Sequence, residues 1–259
     1  MVIGDPIEHS LSPQMHNAGY EALSIDNQYV YVGCHVALNN IETFIKGIRT
    51  MNIRGVSCTM PHKFAVMQYL DKIDPIAQKI GAVNTIVNEK NKLIGYNTDW
   101  IGITKPLEKI TTLKNKIVAL IGAGGAARAV AFAVTNSGAK LTLYNRTVKK
   151  AIEIAKEFNG ITYPFETLEN IKFADIIINA TSIGMDGKNN SVLPGKFINN
   201  NHIVFDIVYG YDTKLLREAK KRGAQTISGT EMLLFQGMEQ FKLYTGHEAP
   251  EDIMRKVLL

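Results

Sequence analysis

Residues 116–128 read KIVALIGAGGAAR, and this stretch decides the fold. Residues 116–121 are nearly all apolar, which is typical of a strand buried on both faces of a parallel sheet. The glycine-rich turn that follows leads into an alanine-rich segment, 126–136, whose composition favours a helix. Between them, residues 122–127 match the pattern G-x-G-x-x-G/A, with Ala127 as the third small residue. A strand, this turn and a helix in that order predict a dinucleotide site.

Each residue type in the turn suits that ligand. Gly122 permits the tight turn, and Gly124 lets a pyrophosphate approach the backbone. The phosphates then rest on free N–H groups at the positive end of the helix. A turn that binds nothing is the alternative, and the flanking strand and helix disfavour it. We therefore expect the cofactor to contact the residues that form the turn and open the helix: Gly122, Ala123, Gly124, Gly125 and Ala126.

The end of the next predicted strand indicates which dinucleotide binds. An NAD enzyme usually carries an acidic residue about 20 positions beyond the first glycine, to bind the ribose 2′-hydroxyl. Here Asn145, Arg146 and Thr147 occupy that place, followed by Lys149 and Lys150. Arg146 can pair with a 2′-phosphate through two hydrogen bonds and lie against the adenine. A solvated loop is the alternative. We predict NADP, bound by Asn145, Arg146, Thr147 and Lys150.

The order of predicted elements gives the fold class. Strand and helix alternate through residues 100–230, the βαβ pattern of a doubly wound sheet. Residues 1–99 mix helical and strand patterns, and residues 231–259 return to helix. We therefore predict two α/β domains, one formed by 1–99 plus 231–259 and the other by 100–230. The other predicted strands are 29–32, 56–59, 82–87, 140–144, 176–179 and 203–206.

Composition excludes several classes of function. Lys and Arg number 29 against 24 Asp and Glu, a net charge of +5 that is scattered along the chain. Duplex binding needs a concentrated basic face, so we expect no nucleic-acid partner. Only Cys34 and Cys58 are present, which fits a reducing, cytoplasmic compartment. No apolar run approaches the roughly 18 residues that cross a bilayer, and no signal-peptide pattern is evident, so we expect no membrane partner.

A dehydrogenase needs a group that exchanges a proton with the reacting oxygen. Lys63 follows a predicted strand end and a proline, where α/β sheets place ligands, and a carboxylate such as Asp99 could orient it. An isolated lysine is more often a surface charge, and spacing alone does not decide between the two roles. His62 is the alternative proton carrier, although a packing role beside Pro61 is favoured. The histidines and cysteines show no metal-ligand spacing, so we expect no metal.

Taken together, these motifs resemble the shikimate dehydrogenase family across nearly the whole chain. The glycine pattern alone is unspecific, whereas an ordered set of motifs is highly specific. The matching segments are 9–13 (HSLSP), 59–63 (TMPHK), 81–85 (GAVNT), 95–99 (GYNTD), 122–128 (GAGGAAR), 145–147 (NRT), 179–185 (NATSIGM), 206–209 (DIVY) and 235–237 (FQG).

The resemblance implies roles for individual residues. Lys63 and Asp99 would form the catalytic pair. The substrate carboxylate would be held by Ser10 and Ser12, with Tyr209 nearby. The ring hydroxyls of the substrate would be bound by Thr59, Asn84, Asp99 and Gln236. The nicotinamide would be lined by Thr181, Ile207, Gly229 and Met232.

The resemblance also implies the activity and the architecture. A substrate-binding domain with a mixed sheet would be separated by a cleft from a Rossmann-type NADP-binding domain. The reaction would be reversible, NADPH-dependent reduction of 3-dehydroshikimate to shikimate, in chorismate and aromatic amino-acid biosynthesis. The alternatives are a quinate/shikimate dehydrogenase and a non-catalytic NADP-binding sensor on the same scaffold. We expect a small-molecule substrate as partner and a monomer or homodimer.

Overall fold

The chain divides into two compact units in a computed structural model that describes residues 1–185 and 189–259. One unit is Met1–Asp99 with Leu234–Leu259, and the other is Trp100–Leu233. The second boundary lies three residues beyond the predicted one, because a single helix, Gly229–Thr245, runs through both positions without a break. Which unit binds which ligand stays a prediction at this point.

The regular elements are as follows. The strands are β1 (Val2–Gly4), β2 (Gly33–His35), β3 (Gly55–Cys58), β4 (Lys72–Ile73), β5 (Thr85–Glu89), β6 (Lys92–Tyr96), β7 (Ile117–Ile121), β8 (Lys140–Tyr144), β9 (Ile161–Tyr163), β10 (Ile176–Asn179), β11 (Ile203–Asp206) and β12 (Gln225–Ile227). The helices are α1 (Ser12–Ala22), α2 (Ile41–Thr50), α3 (His62–Ala65), α4 (Pro75–Ile80), α5 (Asp99–Glu108), α6 (Gly125–Asn136), α7 (Val148–Glu157), α8 (Lys214–Lys221), α9 (Gly229–Thr245) and α10 (Glu251–Lys256).

The first unit is built on a mixed sheet. Its strand order is β2-β1-β3-β5-β6-β4. Strand β1 runs parallel to β2 and β3, whereas β5 runs antiparallel to both β3 and β6. Side chains such as Ile3, Val56 and Ile86 have no exposed surface and join one core cluster with helix α2. The mixed sheet predicted for the first domain is therefore confirmed.

The second unit is built on a parallel sheet. Its strand order is β12-β11-β10-β7-β8-β9, and every pairing is parallel. Counted from β7, this is the order 3-2-1-4-5-6 of the Rossmann fold, and the order reverses between β7 and β10. Ligands of such sheets bind beyond the carboxyl ends of the strands at that reversal. The predicted doubly wound domain is confirmed.

One predicted strand is wrong. Residues 29–32 form no strand, and β2 begins after them at Gly33. The side chain of Asn17 takes the place of a neighbouring strand, since its Nδ2 donates to the Tyr31 carbonyl at 2.9 Å and its Oδ1 accepts from the Tyr31 N–H at 2.8 Å. Aromatic and β-branched residues favour a strand, but the backbone of Tyr31 is already satisfied by a side chain.

Across the described ranges, no helix is both long and apolar enough to cross a membrane.

Candidate active site

One edge of the mixed sheet gathers the predicted catalytic and substrate residues of the first unit. Strands β1, β3 and β6 point their carboxyl ends toward this edge, and β5 begins there, because β5 runs opposite to β3 and β6. The residues that follow or precede these strand ends are Ser10 and Ser12 after β1, Thr59 and Lys63 after β3, Asn84 before β5, and Asp99 after β6.

Lys63 and Asp99 form an ion pair at this edge. The Nζ of Lys63, on the short helix α3, donates to Oδ2 of Asp99, the first residue of α5. The side chains are 16% and 5% exposed, respectively. Burial of a carboxylate is unfavourable unless the group is paired and hydrogen-bonded. The Lys63 ammonium therefore offsets a large part of the cost of burying the Asp99 charge. The remaining N–H bonds of Lys63 are available to a ligand oxygen.

Asn84 completes the surroundings of the carboxylate. Its Nδ2 donates to Oδ1 of Asp99 at 2.9 Å and to Oγ1 of Thr98 at 3.0 Å. Its Oδ1 accepts from the backbone N–H of Thr98 at 2.8 Å. Asp99 thus receives a cation on one oxygen and an amide donor on the other, which holds it in a fixed orientation.

Gln236, on helix α9, reaches the same cluster. Its Oε1 accepts from Nδ2 of Asn84 and from Oγ1 of Thr98, both at 3.4 Å. Asn84, Asp99 and Gln236 are all buried, with 2%, 3% and 7% of their surface exposed, respectively. The structure therefore brings together four predicted site residues from separate parts of the chain: Lys63, Asn84, Asp99 and Gln236.

The other predicted substrate residues are less closely tied. Ser10 and Ser12 lie next to one another, with the Ser12 N–H 3.4 Å from Oγ of Ser10. Thr59 directly follows β3, and its carbonyl accepts from the N–H of His62 at 2.8 Å. Tyr209 is half-buried in the second unit, after β11. The contributions of these residues to a substrate site stay predictions.

The alternative proton carrier, His62, is buried. Its Nε2 lies 2.7 Å from the carbonyl of Val36, so the ring proton is on that nitrogen and is directed into the fold. Burial lowers the pKa of His62, which keeps the ring neutral near pH 7. These contacts favour the packing role.

The glycine turn of the second unit has the geometry of a phosphate cradle. Gly122 has a φ of +119°, and a Cβ there would lie 2.7 Å from the carbonyl oxygen of Ala180. Gly124 precedes the first turn of α6, and a Cβ there would meet no atom within 4 Å. The open space lies in front of the first N–H groups of a 12-residue helix, which attract anions. This cradle fits a dinucleotide pyrophosphate.

The residues predicted to read the 2′-phosphate follow β8 and precede α7. Asn145 donates from Nδ2 to the Thr147 carbonyl at 2.8 Å, which fixes the turn. Arg146, within this turn, and Lys150, after it, are both exposed. Because β8 pairs with β7 in parallel, this turn and the glycine turn follow the same edge of the sheet. An arginine and a lysine there fit a phosphate dianion.

The predicted nicotinamide residues surround the ends of β10 and β11. The Oδ1 of Asn179 accepts from both the N–H and the hydroxyl of Thr181, at 3.0 and 2.7 Å. A Cβ at Gly229 would lie 2.3 Å from the Ile207 carbonyl oxygen, so only glycine allows this approach. Met232 is 7% exposed on the same helix, α9.

Asp206 is a buried carboxylate to which the sequence assigned no role. Its carboxylate accepts from Nδ2 of Asn179 at 2.9 Å and from the hydroxyl of Thr213 at 2.7 Å, and it has no exposed surface. Burial raises its pKa, and these hydrogen bonds oppose the rise. Asp206 thereby ties together the loops after β10 and β11. Its place at the end of an apolar strand and in the matching segment 206–209 was the signal available.

Family models match three parts of the chain. A shikimate dehydrogenase substrate-binding domain matches residues 2–86. A shikimate / quinate 5-dehydrogenase domain matches residues 105–207. A shikimate 5'-dehydrogenase C-terminal domain matches residues 229–259. Together these matches cover more than half of the chain.

Individual relatives agree over the full length. A protein from Methanobrevibacter smithii named shikimate dehydrogenase (NADP(+)) is 41% identical over 99% of this chain and 94% of its own. A crystal structure of a shikimate dehydrogenase with NADP+ is 41% identical, with a TM-score of 0.93 over 99% of this chain and 93% of that one. A structure of the Thermus thermophilus shikimate 5-dehydrogenase with NADP(H) and shikimate is 36% identical, with a TM-score of 0.92 over 99% and 97%.

Two glycine substitutions separate the structural and ligand-binding roles of the turn. Gly122→Ala should lower the free energy of unfolding by roughly 2 kcal/mol, because a positive φ and a backbone collision both oppose a side chain. Gly124→Ala should leave stability unchanged and weaken NADP binding by about tenfold or more, because its methyl group enters the space that the pyrophosphate needs. Denaturant titration and NADP titration of each variant measure the two effects. Unchanged NADP affinity in Gly124→Ala would mean that the pyrophosphate binds elsewhere.

Proposed function

Because the chain belongs to the shikimate dehydrogenase family, we propose that its Lys63–Asp99 pair is the catalytic centre of that family's reaction. The enzyme is an NADP-dependent oxidoreductase that acts on a CH–OH group. It reduces 3-dehydroshikimate reversibly to shikimate in the shikimate pathway, which leads to chorismate and the aromatic amino acids. The observation that carries the catalytic proposal is the contact of Lys63 and Asp99, 36 positions apart in the chain, at the ligand-binding edge of their sheet.

The proton chemistry follows from the ion pair. NADPH supplies the hydride that reduces the ring ketone, and the ketone oxygen gains negative charge as the hydride arrives. Lys63 stabilises that charge with an N–H hydrogen bond and then transfers one proton to the oxygen, which gives the alcohol. Solvent returns the proton to the amine. In oxidation, neutral Lys63 accepts the alcohol proton. Asp99 holds the Lys63 side chain in place in both directions.

Substrate recognition is proposed to use hydrogen-bonding groups at and around this pair. Ser10 and Ser12 hold the carboxylate with hydroxyl donors. The ring hydroxyls are bound by Thr59, Asn84, Asp99 and Gln236. A site with buried polar groups rejects analogues that leave those groups unpaired, which gives specificity for a polyhydroxylated ring acid.

Cofactor recognition is proposed to use the second unit alone. The backbone of Gly122, Ala123, Gly124, Gly125 and Ala126 holds the pyrophosphate. Arg146 pairs with the 2′-phosphate, with Asn145, Thr147 and Lys150 around it. The nicotinamide is lined by Thr181, Ile207, Gly229 and Met232. The first unit is then the substrate-binding domain and the second is the NADP-binding domain.

The cellular setting is also a proposal. Cys34 and Cys58 are both free thiols, which supports an enzyme of the reducing cytoplasm. We propose that it works as a monomer or homodimer. We also propose a small-molecule substrate and no nucleic-acid partner, since no basic face suited to nucleic acid is evident in the sequence.

A two-by-two assay tests the function. Shikimate and quinate are each supplied with NADP or NAD, and the absorbance of the reduced nicotinamide is followed. Shikimate with NADP should give the highest kcat/KM, because Arg146 favours the 2′-phosphate and no acidic residue repels it. A higher kcat/KM for quinate with NAD would identify a quinate/shikimate dehydrogenase instead. NADP binding without turnover of either substrate would identify a sensor.

Replacement of Lys63 tests the catalytic centre. Lys63→Ala should lower kcat by about 10²–10⁴-fold, the usual contribution of a positioned proton donor, with little change in NADPH affinity. Lys46→Ala is the matched control, because Lys46 also lies in the first unit and also pairs with a carboxylate, Glu42, at 2.7 Å, but on an exposed helix face. The control should retain wild-type turnover. If Lys63→Ala turns over at the wild-type rate, Lys63 is not the proton donor.

A further inference from the structure

A continuous series of buried hydrogen bonds leads away from the catalytic carboxylate into the first unit. Beyond Asn84 it passes through side chains on β5, α9 and β3 that no substrate role explains. The members of this series are Asn84, Thr85, Gln240, Ser57, Tyr31 and Tyr244. Ser57 is 5% exposed, Gln240 1% and Thr85 0%, so water does not supply alternative partners.

The direction of every bond is determined, starting from one backbone N–H. The N–H of Thr98 can only donate, so the amide atom of Asn84 that lies 2.8 Å from it must be the oxygen. That oxygen can only accept, so the Thr85 hydroxyl, also at 2.8 Å, must donate to it. Because its one O–H already donates to Asn84, the Thr85 hydroxyl can only accept a hydrogen bond from its next neighbour.

Gln240 is oriented by the same requirement. Its Nε2 donates to the Thr85 hydroxyl at 2.9 Å, so its Oε1 faces the other way and accepts from Ser57 at 2.8 Å. Ser57 then has two lone pairs left, which accept from the hydroxyls of Tyr31 at 2.5 Å and Tyr244 at 2.9 Å. Each hydroxyl and amide in the series therefore donates toward Asp99.

The far end of the series stays uncharged. The ring of His16 stacks on that of Tyr31, with centroids 4.2 Å apart, and burial lowers the pKa of His16 to about 3. Burial also raises the pKa of Tyr244 above its ordinary value, so its hydroxyl keeps its proton. Tyr244 therefore remains a donor over the pH range in which the enzyme works, and a neutral His16 places no charge beside Tyr31.

We propose that Thr85 and Gln240 are positioning residues that act with the Thr98 N–H to hold the Asn84 amide with its nitrogen toward Asp99. This inference rests on the proposed function of the Lys63–Asp99 pair. An Asn84 amide turned by 180° places its oxygen against the Asp99 carboxylate, and two acceptors in contact repel each other. The carboxylate then moves, and the ammonium that it holds moves with it. Displacements of this size at reacting groups reduce turnover strongly.

Three variants test the role of the Thr85 hydroxyl. Thr85→Val keeps the shape and removes the hydroxyl, and should lower kcat for shikimate oxidation by about tenfold or more, with KM for NADP unchanged. Thr85→Ser restores a hydroxyl and should recover kcat to within about threefold of wild type. Thr245→Val is the matched control on α9, because its hydroxyl donates to the helix carbonyl of Phe241 at 2.8 Å and accepts from the N–H of His247 at 3.1 Å, outside the series. It should retain wild-type turnover.

A double variant distinguishes positioning from general loss of structure. Thr85→Val and Gln240→Leu interrupt the same series, so the combined variant should be no slower than about twofold below the slower single variant, because residues in one network are not additive. Three results would each overturn the proposal: wild-type kcat in Thr85→Val, a loss of kcat in Thr85→Ser equal to that in Thr85→Val, or a double variant whose loss is the product of the two single losses. Should Thr85→Val not fold, Gln240→Met replaces it: the length of the side chain is kept, the donor to Thr85 is lost, and wild-type kcat would again overturn the proposal. All rates are taken relative to wild type, whose own failure to oxidise shikimate would instead refute the proposed function.

Discussion

A nearly buried carboxylate in contact with an ammonium is the constraint on which the first unit depends. Asp99 is 3% exposed, and an uncompensated charge at that depth is unfavourable by several kcal/mol. Lys63 supplies the opposite charge and Asn84 an amide donor, from segments that follow β3 and precede β5. The mixed strand directions bring these segments to one edge. The sheet thereby stabilises an arrangement that has little to favour it apart from function, since buried ion pairs contribute little to net stability.

The second unit meets a different requirement, because the ligand proposed for it, NADP, carries a pyrophosphate and a 2′-phosphate. A parallel sheet places backbone N–H groups, rather than charged side chains, at the reversal between β7 and β10. Gly122 and Gly229 are both positions where a Cβ would meet a carbonyl oxygen, at 2.7 and 2.3 Å. Close approach of backbone segments is thus as much a part of the proposed cofactor site as Arg146. Asp206 keeps the loops after β10 and β11 in register.

The sequence predicted the second unit better than the first for a physical reason. Strands buried on both faces are uninterrupted apolar runs, so β8, β10 and β11 begin and end where the sequence placed them. In the first unit, half-buried strands compete with side-chain contacts, and the Asn17 amide occupies the backbone of Tyr31 where a strand was expected. The meeting of Lys63 and Asp99 required the resemblance, because their 36-residue separation carries no periodic signal. Thr85 and Gln240 could not be found at all, since a single hydroxyl or amide in an apolar element has no pattern and becomes meaningful only through its hydrogen-bond partners.

The most direct test of the catalytic centre is a crystal structure of the protein with shikimate bound. We expect the Nζ of Lys63 at about 3 Å from the hydroxyl on the carbon that is oxidised, with the Asp99 carboxylate in hydrogen-bond contact with Lys63 and Asn84 still donating to it. Shikimate bound away from this edge of the sheet, or bound with the Lys63 ammonium out of hydrogen-bond reach of every ring hydroxyl, would contradict the assignment of Lys63 and Asp99 as the catalytic pair.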